Sequence, residues 1–131
     1  MDIILLDALG SINGATQSNL EGKLQILDAR PWLNAQGNAL LGGGFENNEV
    51  YTNCDFTFCD IANIHEVKKA HHAMSLMALT PQAFGDKDSY LKSIDETGYY
   101  QLISTILKAV NMVVECIVEK KQNVLVHCSD G

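Results

Sequence analysis

The segment that most constrains the fold runs from Asp95 to Val126. Tyr99, Leu102, Ile103, Ile106, Val110, Val113, Val114 and Ile117 recur at spacings of three and four, which gives a helix one apolar face. Asp95 and Glu96 stand at one end of this span, Lys120 and Lys121 at the other, as a helix dipole favours. Read as a single helix, Asp95 to Lys121 covers roughly 35–40 Å at 1.5 Å per residue. Gln122 and Asn123 then turn the chain into Val124-Leu125-Val126, a short β-branched run typical of a strand buried on both faces.

The remaining segments supply partners for that strand. Lys23 to Ala29 alternates weakly and stops at Arg30-Pro31, where proline cannot continue a central ladder. Asp55 to Ile64 alternates through Phe56, Phe58 and Ile61, and reads as a second strand. His65 to Leu79 carries Val67, Ala70, Met74 and Met77 at helical spacing, and Thr80-Pro81 ends it. Glycines and asparagines between Pro31 and Glu49 predict an irregular loop, and the polar stretch Gln82 to Ser93 a surface loop. The stretch through Asn19 has no clear period. Strand, helix, strand, helix, strand predicts an α/β fold whose central, largely parallel sheet is flanked by helices. With 131 residues, the chain holds one domain around one core.

Composition excludes some functions. Nine basic against sixteen acidic residues give a net charge of −7, so nucleic acid is not an expected partner. No uninterrupted apolar run is long enough to span a bilayer. The N-terminus carries Asp2 and Asp7 where a secretory signal carries Lys or Arg; the reading is therefore cytoplasmic. Cys54, Cys59, Cys116 and Cys128 are irregularly spaced and read as free thiols. Cys54, Cys59, His65, His71 and His72 are ligand types for zinc. Cys54 and Cys59 differ by an odd number, so on one strand they face opposite sides. Neither a metal nor a cofactor is expected.

The chemistry concentrates in Val124-Leu125-Val126-His127-Cys128-Ser129-Asp130-Gly131. A buried strand delivers a cysteine to its carboxyl end, where open α/β sheets collect ligands. Amides of a tight loop form an anion-binding concavity and stabilise a thiolate, the nucleophilic form. His127 would orient the loop rather than act as a base. This is the architecture of a cysteine-dependent phosphatase. The residues by themselves serve equally well as a strand end with one more small buried thiol. The glycines Gly42 to Gly44 are not a nucleotide loop, because no Gly-Lys-Ser/Thr follows.

The string VLVHCSDG resembles the start of the catalytic signature of the myotubularin phosphatases, which continues there with Trp-Asp-Arg. Two more segments resemble the same family in the same order. One is Leu27-Asp28-Ala29-Arg30-Pro31 with Asn34-Ala35, Asn38 and Gly42-Gly43-Gly44-Phe45-Glu46. The other is Asp60-Ile61-Ala62-Asn63-Ile64-His65. The resemblance covers roughly the last hundred residues. It implies a protein tyrosine phosphatase-like domain that removes the 3-phosphate from phosphatidylinositol 3-phosphate and 3,5-bisphosphate. Carried over by motif, Cys128 is the nucleophile that forms a cysteinyl-phosphate, and Asp28 a position needed for activity. Ser129, Asp130 and Gly131 offer donors to the phosphate, and Asn38, Asn63 and Ile64 line the headgroup. Without the resemblance, the asparagines read as ordinary turn residues.

The family loop needs an arginine six residues after the cysteine and a general-acid aspartate just before it; this sequence stops at Gly131, and Arg30 is its single arginine. Loss of one such electrostatic donor costs on the order of 3 kcal/mol. The expectation is therefore that residues 1–131 are the N-terminal part of a phosphatase domain, incomplete at the C-terminus and inactive alone. An apolar face on Val124 to Val126 would then stand open. The alternative is a catalytically inactive relative that regulates a phosphatase partner. A protein tyrosine phosphatase shares the loop chemistry, but Asp130 and the two upstream motifs argue against it. The implied partners are the phosphoinositide headgroup and another myotubularin, in homo- or hetero-association. Peripheral association with endosomal membranes would need other segments, because the acidic balance gives no attraction to anionic lipid.

Overall fold

The computed structural model describes residues 2–12, 23–40, 51–80 and 85–128. Its elements are α1 (Asp2–Ser11), β1 (Leu24–Asp28), α2 (Trp32–Leu40), β2 (Cys54–Phe58), α3 (Ile64–Leu79), α4 (Lys87–Glu96), α5 (Tyr99–Val114), a π-helical turn (Glu115–Glu119) and β3 (Val124–His127). They fall into two compact units. The first comprises Met1–Asp60 with Lys108–Gly131, and the second Ile61–Leu107.

The first unit holds a three-stranded parallel sheet in the order β2-β1-β3. The α/β fold with parallel neighbours is as the sequence pattern predicts. All five residues of the central strand β1 are buried, and Ile26 has no exposed surface. The register pairs Ile26 with Phe56 on one side and with Leu125 on the other. In-register side chains of a parallel sheet share a face, so Leu24, Ile26, Cys54, Phe56 and Leu125 form one apolar surface. Leu6 and Leu9 of α1, with Tyr51, pack against it. The Asn123 amide side chain donates to the Leu9 carbonyl, and Asn53 Nδ2 to Asp7 Oδ1 at 3.1 Å. On the opposite face, buried Gln25 is satisfied by donating to the Asp55 carbonyl at 3.0 Å and to Thr57 Oγ1 at 3.2 Å.

Several expectations are corrected. Pro31 to Glu49 is not all loop, because α2 starts directly after Pro31, whose carbonyl accepts from the Asn34 and Ala35 amides. Proline is pre-set for a helix start. Gln82 to Ser93 is not simply a surface loop either. Asp86 caps α4 by accepting from the Ser89 amide at 2.9 Å. The single long helix is broken at Thr97-Gly98. Gly98 adopts φ +69, a left-handed turn that ends α4 before Tyr99 starts α5. Asp95 and Glu96 therefore close α4 instead of opening the long helix.

The stretch Tyr99–Glu119 is long and apolar enough to cross a membrane by length and composition, although no uninterrupted apolar run in it is. Gln101, Ser104, Thr105, Lys108 and Asn111 line one side of it; Leu102, Ala109 and Cys116 are buried, while Leu107, Val110, Val114 and Ile117 are about half exposed. β3 is the outer strand among those described, and Val126 is 56% exposed. It is thus not buried on both faces, in keeping with the open apolar face foreseen there.

Candidate active site

The register aligns the carboxyl ends of all three strands. Asp28, the last residue of β1, pairs with His127 of β3 and with Phe58 of β2. Past the strand ends, the Ala29 amide donates to the His127 carbonyl at 2.8 Å, and the Cys59 amide to the Asp28 carbonyl at 2.8 Å. Cys128 follows β3 directly and is exposed, whereas Cys54, Cys59 and Cys116 are buried. Asp60 then takes φ 53, a conformation that short polar side chains tolerate, as the chain leaves β2.

Asp28 is 4% exposed. Its Oδ1 accepts from the Arg30 backbone amide at 2.9 Å, closing an Asx-turn over Ala29. Arg30 also folds its guanidinium back. Nε lies 2.9 Å from Oδ1 and 3.0 Å from Oδ2, and Nη2 bonds Oδ2 as well. Burial works to raise the Asp28 pKa, but the Arg30 hydrogen bonds and charge, with His127 adding to them, prevail and hold it below the ordinary carboxylate value. His127 Nε2 stands 3.9 Å from Asp28 Oδ2, and its Nδ1 lies 3.3 Å from the Cys128 carbonyl. At the other side of β1, burial and the charges of Asp28 and Asp60 push the Cys59 thiol pKa up, which keeps that thiol protonated.

The other expected site residues are distributed as follows. Asn63 lies in the second unit as the N-cap of α3. Its Oδ1 accepts from the His65 and Glu66 amides at 2.9 and 3.2 Å. Ile64 opens α3 with its side chain 72% exposed. A shallow cavity in the same unit is bounded by Ala62, Glu66, Lys69, Gly98 and Leu102; Lys69 at its rim is 2.7 Å from Glu66. Asn38 lies in α2. Ser129, Asp130 and Gly131, and the glycines Gly42 to Gly44, lie outside the described residues. Among the described residues no three His, Cys, Asp or Glu side chains are grouped as a metal site requires.

The structure brings together Asp28, His127 and the base of Cys128 at one sheet edge. It adds Arg30, which sequence reasoning treated only as part of a motif. The available signal was an arginine two positions after a strand-terminal carboxylate, the spacing at which an Asx-turn lets the two groups meet.

The family model described as a myotubularin-like phosphatase domain matches residues 1–131. The phosphatidylinositol-3,5-bisphosphate 3-phosphatase mtm-1 of Caenorhabditis elegans is 41% identical over 109 residues, 83% of this chain and 18% of the relative. Myotubularin of Xenopus laevis is 35% identical over 128 residues, 96% of this chain and 20% of the relative. The human phosphatidylinositol-3,5-bisphosphate 3-phosphatase MTMR4 is 36% identical over 124 residues, 95% of this chain and 10% of the relative. The chain thus spans a fifth or less of the length of these curated relatives.

Proposed function

The chain belongs to the myotubularin-like phosphatase family, and on that premise we propose that it contributes the nucleophile to a phosphoinositide 3-phosphatase. Its α/β fold is the protein tyrosine phosphatase-like fold of that family. The observation that carries the proposal is an exposed Cys128 at the carboxyl end of a parallel strand, beside a nearly buried Asp28 held by Arg30. Parallel sheets bind ligands at that edge, and a thiolate there can attack phosphorus in line.

The sulfur–phosphorus bond forms as the bond from phosphorus to the inositol oxygen breaks, and the leaving oxygen takes up a proton. Water then cleaves the cysteinyl-phosphate, releasing inorganic phosphate and restoring the thiol. Asp28 serves as the fixed anion behind the loop. Ser129, Asp130 and Gly131 offer amides to the phosphoryl oxygens, and Asn38, Asn63 and Ile64 contact the headgroup. The substrates are phosphatidylinositol 3-phosphate and 3,5-bisphosphate, met at endosomal membranes from the cytoplasmic side. The test is phosphate release by the full-length protein from vesicles containing each lipid. Release that disappears in Cys128→Ser is expected; release that survives the substitution overturns the proposal.

A second reading is favoured by one observation. Arg30, the arginine within these residues, is committed to Asp28, so a guanidinium for the phosphoryl oxygens would have to come from outside them. In that reading they act without turnover, as a regulatory partner in association with another myotubularin. Phosphate release by the purified 131-residue chain, lost in Cys128→Ser, excludes it.

A further inference from the structure

We propose that Arg30 is a positioning residue for the phosphatase reaction, acting through Asp28 and His127 on the backbone that carries Cys128. The inference rests on the function proposed above. It starts from a chain of contacts at one sheet edge. Arg30 grips both oxygens of Asp28 through its side chain and one of them through its backbone amide. Asp28 Oδ2 faces His127 Nε2 at 3.9 Å, and the opposite ring nitrogen lies 3.3 Å from the Cys128 carbonyl. The Ala29 amide, inside the Arg30–Asp28 turn, donates to the His127 carbonyl at 2.8 Å. Two routes, one through side chains and one through the backbone, therefore connect Arg30 to the residue before the nucleophile.

The geometry suits orientation. A guanidinium presents a rigid planar fork, so a carboxylate held bidentately is fixed in angle as well as in place. The pair is nearly buried, with side-chain exposures of 11% for Arg30 and 6% for Asp28, so water competes little for either partner. A thiolate must meet phosphorus in line, and a displacement of about 1 Å at a reacting atom can cost on the order of a hundredfold in rate. Among the described residues, the charged or titratable groups around Asp28 are Arg30 on its own connection, His127 on β3 and Cys59 at the end of β2. Of these, Arg30 makes the hydrogen bonds to its carboxylate.

The experiment uses the full-length protein and vesicles carrying phosphatidylinositol 3-phosphate. Steady-state kinetics across pH are measured for Arg30→Gln, Arg30→Lys, Asp28→Asn and the double variant Arg30→Gln/Asp28→Asn, with Cys128→Ser as reference. Arg30→Lys keeps the charge and loses the fork, so it reports on orientation even where Arg30→Gln fails to fold. Arg30→Lys is expected to lower kcat roughly ten- to a hundredfold with KM changed less than about twofold, the signature of an effect on the reacting step. Arg30→Gln is expected to shift the acid limb of kcat to higher pH, and to add nothing further once Asp28 is Asn. Wild-type kcat and pH profile in Arg30→Lys, or fully additive losses in the double variant, overturn the inference while Cys128→Ser stays inactive. Activity that persists in Cys128→Ser means instead that the underlying reading of the site has failed.

Discussion

Asp28 and His127 occupy one rung of the parallel ladder, paired Cα to Cα, with the carboxylate 3.9 Å from the imidazole Nε2. The rung makes the end of β1 a support for the end of β3, from which Cys128 projects. Strand pairing thus places a buried anion behind the segment that carries Cys128.

Removing one partner of a buried ion pair leaves the other uncompensated. Arg30→Ala should therefore destabilise the fold by about 3–5 kcal/mol, because Asp28 stays desolvated at 4% exposure. Urea denaturation followed by circular dichroism measures this. A change below about 1 kcal/mol, the range of surface pairs, would mean that the pair is solvated in solution.

The same pair predicts an acid limb. The folded Asp28 pKa lies below its ordinary value of 3.8, so on acidification the unfolded chain takes up a proton first. The stabilisation is complete above the unfolded value and disappears as pH falls through the lowered folded one. Denaturation midpoints should drop on acidification in the wild type, and less steeply in Arg30→Gln.

Thiol accessibility gives a third check. Iodoacetamide followed by mass spectrometry should label Cys128 first, with Cys54, Cys59 and Cys116 labelled after unfolding. Burial and the nearby carboxylates raise the folded Cys59 pKa above its ordinary value of 9.0. The unfolded thiol therefore ionises first as pH rises, and stability should fall through that alkaline range. Cys59→Ala should remove this dependence while lowering stability at neutral pH through lost packing.

Two turns can be tested by conservative changes. Asn63→Ala removes a side-chain cap and should cost about 1 kcal/mol, whereas Asn63→Asp retains it. Hydrogen exchange at the first amides of α3 reports the difference. Gly98→Ala places a Cβ where no atom lies within 4 Å, so its cost is that of φ +69 in a residue with a side chain, about 1 kcal/mol. A neutral Gly98→Ala would show that the α4–α5 joint relaxes.

Legibility followed the strength of local signals. β1, α3 and β3 announced themselves because burial on a strand or helix writes a period into the sequence. α2 did not, because Asn34, Gly37 and Asn38 are weak helix formers, and its start is set by the Pro31 carbonyl. α4 is a polar helix whose one clear sign is Asp86 three residues before Ser89. The break at Gly98 was obscured because Asp95 and Glu96 suit the start of a helix and the apolar spacing begins right after them at Tyr99. At the site, motif resemblance pointed to Asp28 and Cys128. The rung joining Asp28 to His127 depends on register, which no local window encodes.

The parallel pairing of β1 with β3 has a temporal consequence. It joins residues about a hundred positions apart, and such non-local contacts form slowly because a long loop must close first. During vectorial synthesis, Asp28 and Arg30 leave the ribosome long before Val124 to His127 exist. Until then the centre of the sheet is missing a neighbour. Through that interval Ile26 and Leu27, buried in the folded chain, lack the cover that β3 gives them.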